Sequence, residues 1–559
     1  MNANSSETSQ VYLYDTTLRD GAQQEGISLS VEDKLKIARL LDKLGFHFIE
    51  GGWPGANPKD AQFFESLKLD PLQSARVVAF CSTRRPGLNA AEERMFDPIL
   101  LSGAQWITLF GKSWDLQVIE GLQTTLQENL AMIEDSIAFL TQQDRHVIYD
   151  AEHWFDGYKS NPVYALKTID TAIAAGAEWV VLCDTNGGTL PHEMAAIVTD
   201  VRQHIQTLQS AHPSIRLGIH THNDSGMAVA NSVIAVQHGV EMVQGTVNGY
   251  GERCGNANLC TVIPNLQIKL GYACLESAQL TELTPASRLV SEIVNLAPNE
   301  HAPFVGASAF AHKGGIHVSA VQRNPLTYEH IDPTALGNKR RIVVSEQSGI
   351  SNVLEKANHF GFWLEKTDPA SRQILQQLKQ LESEGYQFEA AEASFELLIR
   401  EALNQRPIFF ELKGFDIYCR GQQKSSSDLL SSSATATVKV AVKDQEMLTA
   451  AEGNGPISAL DAALRKALVG FYPVIADFQL TDYKVRILDG RGGTSAKTRV
   501  LVESSNGRER WATVGVSANI IEASYQAVAQ GIEYGLLQYR SQLHNDLALS
   551  CSLSPSYAR

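Results

Sequence analysis

RLGIHTHNDSG, residues 216–226, changes character halfway along. It opens on an apolar run and closes on His220, His222, Asn223 and Asp224. Seven other short runs share that form: VYLYDTTL (11–18), FHFIEGG (46–52), RVVAFC (76–81), WITLFG (106–111), HVIYDAE (146–152), WVVLCDT (179–185) and MVQGTVNG (242–249). Each starts as a near-continuous apolar run, as a strand buried on both faces does. Helical patterns fall between them, such as SVEDKLKIARLLDKLG (30–45) and NPVYALKTIDTAIAAGAE (161–178). Ser30, with Asp33 three residues on, predicts an N-cap, and Gly45 a C-cap. Eight strand–helix units within roughly 270 residues predict a (β/α)8 TIM barrel.

Polar residues gather where these strands end: Arg19-Asp20, Glu50, Glu152, Asp184-Thr185, His220 with His222, and Asn248. That rim is the C-terminal strand face, where barrel enzymes carry their chemistry. A purely structural barrel has no need to load one rim in this way.

The 559 residues are too many for one ordinary domain. A chain 44% hydrophobic and 19% charged can bury a real core. The net charge of −15 argues against nucleic-acid or anionic-membrane partners. Seven cysteines, an odd count without a CxxC pair, argue against a disulfide framework or zinc ribbon and point to reduced thiols in a cytoplasmic setting. Residues 1–10 read as a disordered polar tail with no signal peptide, and no apolar stretch approaches the ~20 residues of a membrane helix.

The barrel is expected over 11–275, followed by a mainly helical linker region, 276–400, that contributes to the active site. An α+β regulatory domain over 401–540 and a tail over 541–559 complete the chain. GQQKSSSDLLSSSATA (421–436) reads as a flexible loop. Beyond it, VKVAV (438–442) with ISALDAALRKALVGF (457–471) is echoed by RVLVES (499–504) and WATVGVS (511–517) with IIEASYQAVAQGIEYGLL (520–537), a duplicated small unit. The Gly-rich ILDGRGGTSAKT (487–498) lacks the ending and setting of a P-loop.

In a strand, residues i and i+2 share a face, so His220 and His222 both reach the barrel mouth. Two imidazoles are an incomplete metal site; Asp20 offers a hard oxygen and Asn256, in GERCGNAN, an amide oxygen. The bland alternative is that the histidines only bind rim backbone. Asn223 and Asp224 are expected to shape the loop and cap the next helix. Arg19 beside Asp20 can stabilise an anion, or form a surface ion pair. Glu152 can orient or act as a base, or be structural. Thr185, before Gly187-Gly188, can hold a substrate carboxylate or cap a helix, and Asn256 has the same capping alternative. His312 and His317, in SAFAHKGGIHVSA (308–320), lie outside the barrel; either can reach a site as general base.

Taken in order, YDTTLRDGAQ, the Glu152 segment, CDTNGG, HTHNDSGMAVANS, GTVNGYGERCGNA and AHKGGIH resemble the 2-isopropylmalate, homocitrate and citramalate synthases over nearly the whole chain. GGWPGANPKD (51–60), DAEHWFDGYKSNP (150–162) and AHKGGIHVSAVQRNPLTYEHIDP (311–333) are most similar to the citramalate-synthase branch. The resemblance implies an acyltransferase that condenses acetyl-CoA with pyruvate and water, a first step towards isoleucine. It implies a divalent metal, Mn or Mg in preference to Zn or Co, on Asp20, His220, His222 and Asn256. It places Arg19 over the keto-acid oxygens and Thr185 on the keto acid's carboxylate. It makes His317 the base, oriented by Glu152, with Tyr328 completing the site. A homodimer with composite sites and isoleucine as feedback inhibitor are also implied. The alternatives are a synthase for a larger 2-keto acid, a hydroxymethylglutaryl-CoA-type lyase, which the extra C-terminal domain disfavours, and an amino-acid-sensing protein with an inactive barrel.

Overall fold

The computed structural model describes residues 9–208, 212–422, 431–489 and 495–552. The chain divides into two compact units, Met1–Phe310 with Ile331–Arg340, and Ala311–His330 with Arg341–Arg559.

In the first unit, strands β1 (Tyr12–Asp15), β2 (Phe48–Gly52), β3 (Arg76–Ser82), β4 (Trp106–Lys112), β5 (His146–Glu152), β6 (Trp179–Asp184), β7 (Arg216–Thr221) and β8 (Met242–Gly245) form a closed barrel in sequence order. Every neighbouring pair runs parallel, and β8 closes on β1 with Gln244 opposite Tyr14. The apolar runs form strands because helices cover their outer face: all six residues of β6 are buried. The expected capping box at Ser30 is present, with Asp33 N donating to Ser30 Oγ and Ser30 N to Asp33 Oδ2. The helix Val31–Lys43 ends before Gly45, whose φ of +86° suits the left-handed turn.

Two expected strands stop early, and both ends matter. β1 ends at Asp15 because its carboxylate accepts from Thr17 N at 2.9 Å and Thr17 Oγ1 at 2.8 Å. Arg19 N and Gly21 N then donate to Thr16 O, so Arg19 and Asp20 stand in a tight loop beyond the strand rather than at its end. β8 ends at Gly245, and Asn248, expected on the rim, sits at φ +61° instead. Its amide donates to Ser287 O and Ser291 Oγ of the helix Leu283–Ile293, a structural role.

The second unit carries the helices Gly315–Arg323, Ile350–His359, Pro369–Glu384 and Glu392–Ala402, then the expected duplication. Each repeat is a three-stranded antiparallel sheet followed by a helix. The first is Glu411–Gln422, Ser431–Val442 and Gln445–Gly453 with Pro456–Leu468. The second is Gln479–Ile487, Thr498–Ser505 and Arg510–Ser517 with Ile520–Ser552. The expected loop over 421–436 is therefore corrected: residues 431–436 are strand, and 423–430 lie outside the described residues. Ala434, Ala436, Val438, Val440 and Val442 are buried at a period of two, but small Ala and Ser side chains hide that period in the sequence. The tail expected from 541 is helical through Ser552, and 553–559 lie outside the described residues. So do 490–494 of the Gly-rich segment and residues 1–8 of the expected N-terminal tail. Among the described residues no helix is long and apolar enough to cross a membrane.

Candidate active site

β7 sets the site through its alternation. Thr221 points outward, its hydroxyl 2.9 Å from Ser232 Oγ and 3.0 Å from Ala228 O of the following helix. His220 and His222 take the opposite side and bring their Nε2 atoms within 3.2 Å of each other. The loop after β1 delivers Asp20 Oδ2 to 3.3 Å from His220 Nε2 and 3.8 Å from His222 Nε2. The three side chains are buried, and their ligand atoms lie within 4.8 Å of one another, a group that can hold a metal ion.

Electrostatics hold Asp20 and His222 in the forms that bind a cation, whereas His220 must give up a proton to do so. Burial opposes the charge on Asp20, but Arg19, His220 and His222 outweigh it and hold the carboxyl well below the usual range. Burial, then the charge of His220, pushes His222 down to about 4, leaving a neutral imidazole as metal ligation needs. Burial also lowers His220, but the bond to Asp20 and its charge more than compensate and raise it.

Asn256 is not a helix cap. The helix begins at Leu259 and is capped by Asn258, whose side chain accepts from Cys260 N. Asn256 instead makes an antiparallel backbone bridge with His222. Gly255, at φ +86°, allows this approach: a Cβ there would sit 2.0 Å from Gly249 O. Asn256 Nδ2 donates to Tyr250 O, while Asn256 Oδ1 and His222 Nδ1 are buried without a hydrogen-bond partner. A buried carbonyl oxygen left unpaired on the bridge partner of His222 fits a divalent ion.

Around the cluster a cavity of about 570 Å³ also takes in Arg19, Phe80, Phe110, Glu152 and Thr185. Arg19 is not a surface ion pair. Its Nε donates to the buried Glu50 at 2.6 Å, its Nη1 lies 3.8 Å from Asp20, and its guanidinium stacks 3.8 Å over Phe80. Tyr14 OH donates to the other Glu50 oxygen at 2.8 Å. Glu152 is ion-paired with Lys112. Thr185 Oγ1 accepts from His153 N at 2.9 Å, and because the next helix begins only at Pro191, Thr185 is not its N-cap. Asn223 Oδ1 accepts from Ala228 N as expected of a capping residue. Asp224 does not cap; it forms a two-point pair with Arg253 at 2.8 and 2.9 Å.

His317 and Tyr328 belong to the second unit, where their ring centroids are 4.3 Å apart. His312 is held by Glu329 at 3.0 Å, whereas His317 is exposed on the helix Gly315–Arg323. No pattern in the sequence points to the partners: Glu50 for Arg19, Lys112 for Glu152, and Asp150 behind Gln244 and His220. Gln244 had a visible signal, a lone amide inside the apolar run MVQG.

The family model described as HMGL-like matches residues 10–290. The homocitrate synthase post-HMGL domain matches 304–386, and the LeuA allosteric (dimerisation) domain matches 389–536. The chain is 65% identical to the (R)-citramalate synthase of Synechocystis sp. over 97% of its own length and 98% of the relative's. It is 51% identical to the (R)-citramalate synthase of Geobacter sulfurreducens, over 94% and 97%. The 2-isopropylmalate synthase of Crocosphaera subtropica is 28% identical over 97% and 98%.

Proposed function

The chain belongs to the family of (R)-citramalate synthases, and we propose that it condenses acetyl-CoA with pyruvate and water to give (R)-citramalate and CoA. The observation that carries the reading is the buried Asp20, His220 and His222 cluster beside Arg19 at the mouth of a closed barrel.

Asp20, His220, His222 and Asn256 Oδ1 would hold a divalent cation, with Mn or Mg preferred and Zn or Co compatible with the mixed N/O donors. When bound, that cation supplies Lewis-acid polarisation of the keto group. Arg19, held in place by Glu50 and Phe80, stabilises the alkoxide that develops when the keto carbon is attacked. Thr185 holds the keto acid's carboxylate through its hydroxyl. His317, with Tyr328 against its ring, removes the methyl proton of acetyl-CoA, and Glu152 orients it, in a composite site of a homodimer. Water then cleaves the thioester. Phe80 and Phe110, stacked at 5.1 Å, leave an apolar wall beside Arg19 that suits the methyl group of pyruvate.

The match to an allosteric (dimerisation) domain supports a regulated dimer. Isoleucine is its proposed effector, and the cytoplasm the proposed compartment. The proposed division is barrel 11–275, linker 276–400 and regulatory domain 401–540.

Incubation with Mn, acetyl-CoA and a panel of 2-keto acids, followed by thiol release, tests the activity. Pyruvate is expected to be preferred; preference for 2-ketoisovalerate or 2-oxoglutarate would replace the reading by isopropylmalate or homocitrate synthase. Calorimetry with isoleucine tests the effector: no heat of binding and no change in turnover at saturation would remove it.

A further inference from the structure

Behind His220 lies a buried relay that no step above uses. Gln244, on β8, is the register partner of His220 on β7 and is fully buried. Its Oε1 lies 2.9 Å from His220 Nδ1, and its Nε2 donates across the barrel to Asp150 Oδ1 of β5, also at 2.9 Å. Asp150 is buried as well, at 4% exposure, so water does not compete for these bonds.

The chemistry of the three groups orders the protons. The Gln244 amide donates from Nε2 to Asp150 Oδ1, which fixes the orientation of the amide. Its Oε1 is then left facing His220 and, being an acceptor only, requires a proton on His220 Nδ1. In the neutral imidazole, the form that ligates a metal, the free lone pair is thereby assigned to Nε2, the atom 3.2 Å from His222 Nε2 and 3.3 Å from Asp20 Oδ2. The same bonds fix the rotation of the ring.

We propose that Gln244, itself anchored by Asp150, is a positioning residue that sets the tautomer and orientation of His220 for metal ligation. It touches neither substrate nor cation and acts through the histidine. The inference rests on the metal reading of Asp20, His220 and His222 given above. Outer partners of this kind typically change metal affinity by about 10–100-fold when removed.

The test is Mn(II) binding by the full-length, chelator-stripped protein, read by electron paramagnetic resonance, with thermal unfolding of the metal-free form as a check on folding. Gln244→Met keeps the volume and deletes the acceptor; its Mn affinity is expected to fall about 10–100-fold with an unchanged unfolding temperature. Its turnover should recover as Mn is raised to saturation, which a general packing defect would not do. Gln244→Glu keeps an acceptor opposite Nδ1 and is expected to bind Mn within about threefold of wild type. Wild-type affinity in Gln244→Met, or equal weakening in both variants, overturns the proposal. If Gln244→Met does not fold, the Glu variant decides: binding about tenfold or more weaker overturns it. Failure of the wild type to bind Mn would instead overturn the metal reading itself, and this inference with it.

Discussion

At its N-terminal end, every strand of the barrel starts with a large side chain: Tyr12, Phe48, Arg76, Trp106, His146, Trp179, Arg216 and Met242. They pair with one another. Arg76 lies over Phe48 and Trp106, Arg216 over Tyr12 and Trp179, and Trp106 stacks on His146 at 4.6 Å. At the other end Arg19, Asp20, His220 and His222 crowd together, and His222 Nδ1 and Asn256 Oδ1 are left without partners. One end satisfies its own groups and contributes stability. The other leaves buried polar atoms unpaired, Asn256 Oδ1 among them, which costs stability and leaves that oxygen free for a ligand.

The sharpest way to break this contrast is to exchange the consequences of mutation at the two ends. His222→Ala should lower kcat/KM, followed by thiol release, by about 10³-fold, the several kcal/mol that metal polarisation supplies. Thermal unfolding of the metal-free variant should be little changed; a collapse of the fold would show that the mouth also carries stability. Trp179→Ala should do the reverse. Its side chain is buried, and its loss should cost about 3–5 kcal/mol in denaturant unfolding while turnover of the folded fraction persists. Arg216→Met keeps an apolar stem over Tyr12 and Trp179 but loses the cation, for an expected cost of about 1 kcal/mol.

The smallest effect is one of pH. His47, just before β2, accepts a hydrogen bond from Leu13 N at Nδ1, and burial, then Arg76, pushes its pKa down from 6.5 to about 4. The folded chain therefore prefers the neutral ring. This contribution is present above about pH 6.5 and is lost progressively as pH falls towards 4. His47→Gln should flatten the stability profile across that window and leave it unchanged above it; an unaltered profile would show that His47 does not couple the fold to pH.

Much of the site was legible because its residues sit at fixed offsets from strands. His220 and His222 needed only the period of two, and Asp20 only the knowledge that β1 neighbours β8. Their partners were less legible. Glu50 reaches Arg19 across 31 positions and Gln244 reaches Asp150 across 94, so no local pattern joins them. Asp224 looked like a cap because it precedes a helix, but Arg253, 29 residues on, offered it a two-point charged bond. Asn256 looked like a cap until Asn258 took that place.

The order of apolar runs and turn residues by itself determined the eight-stranded barrel, the duplicated C-terminal units and the choice of His220 and His222, because hydrophobic periodicity and side-chain alternation are local properties of the chain. Only closure of the barrel decided that Asp20 would meet those histidines, that Glu50 would hold Arg19, and that Gln244 would stand between His220 and Asp150. The reason is physical: a buried ion pair or hydrogen bond depends on which groups share a dry volume, and that volume exists only once distant strands have come together.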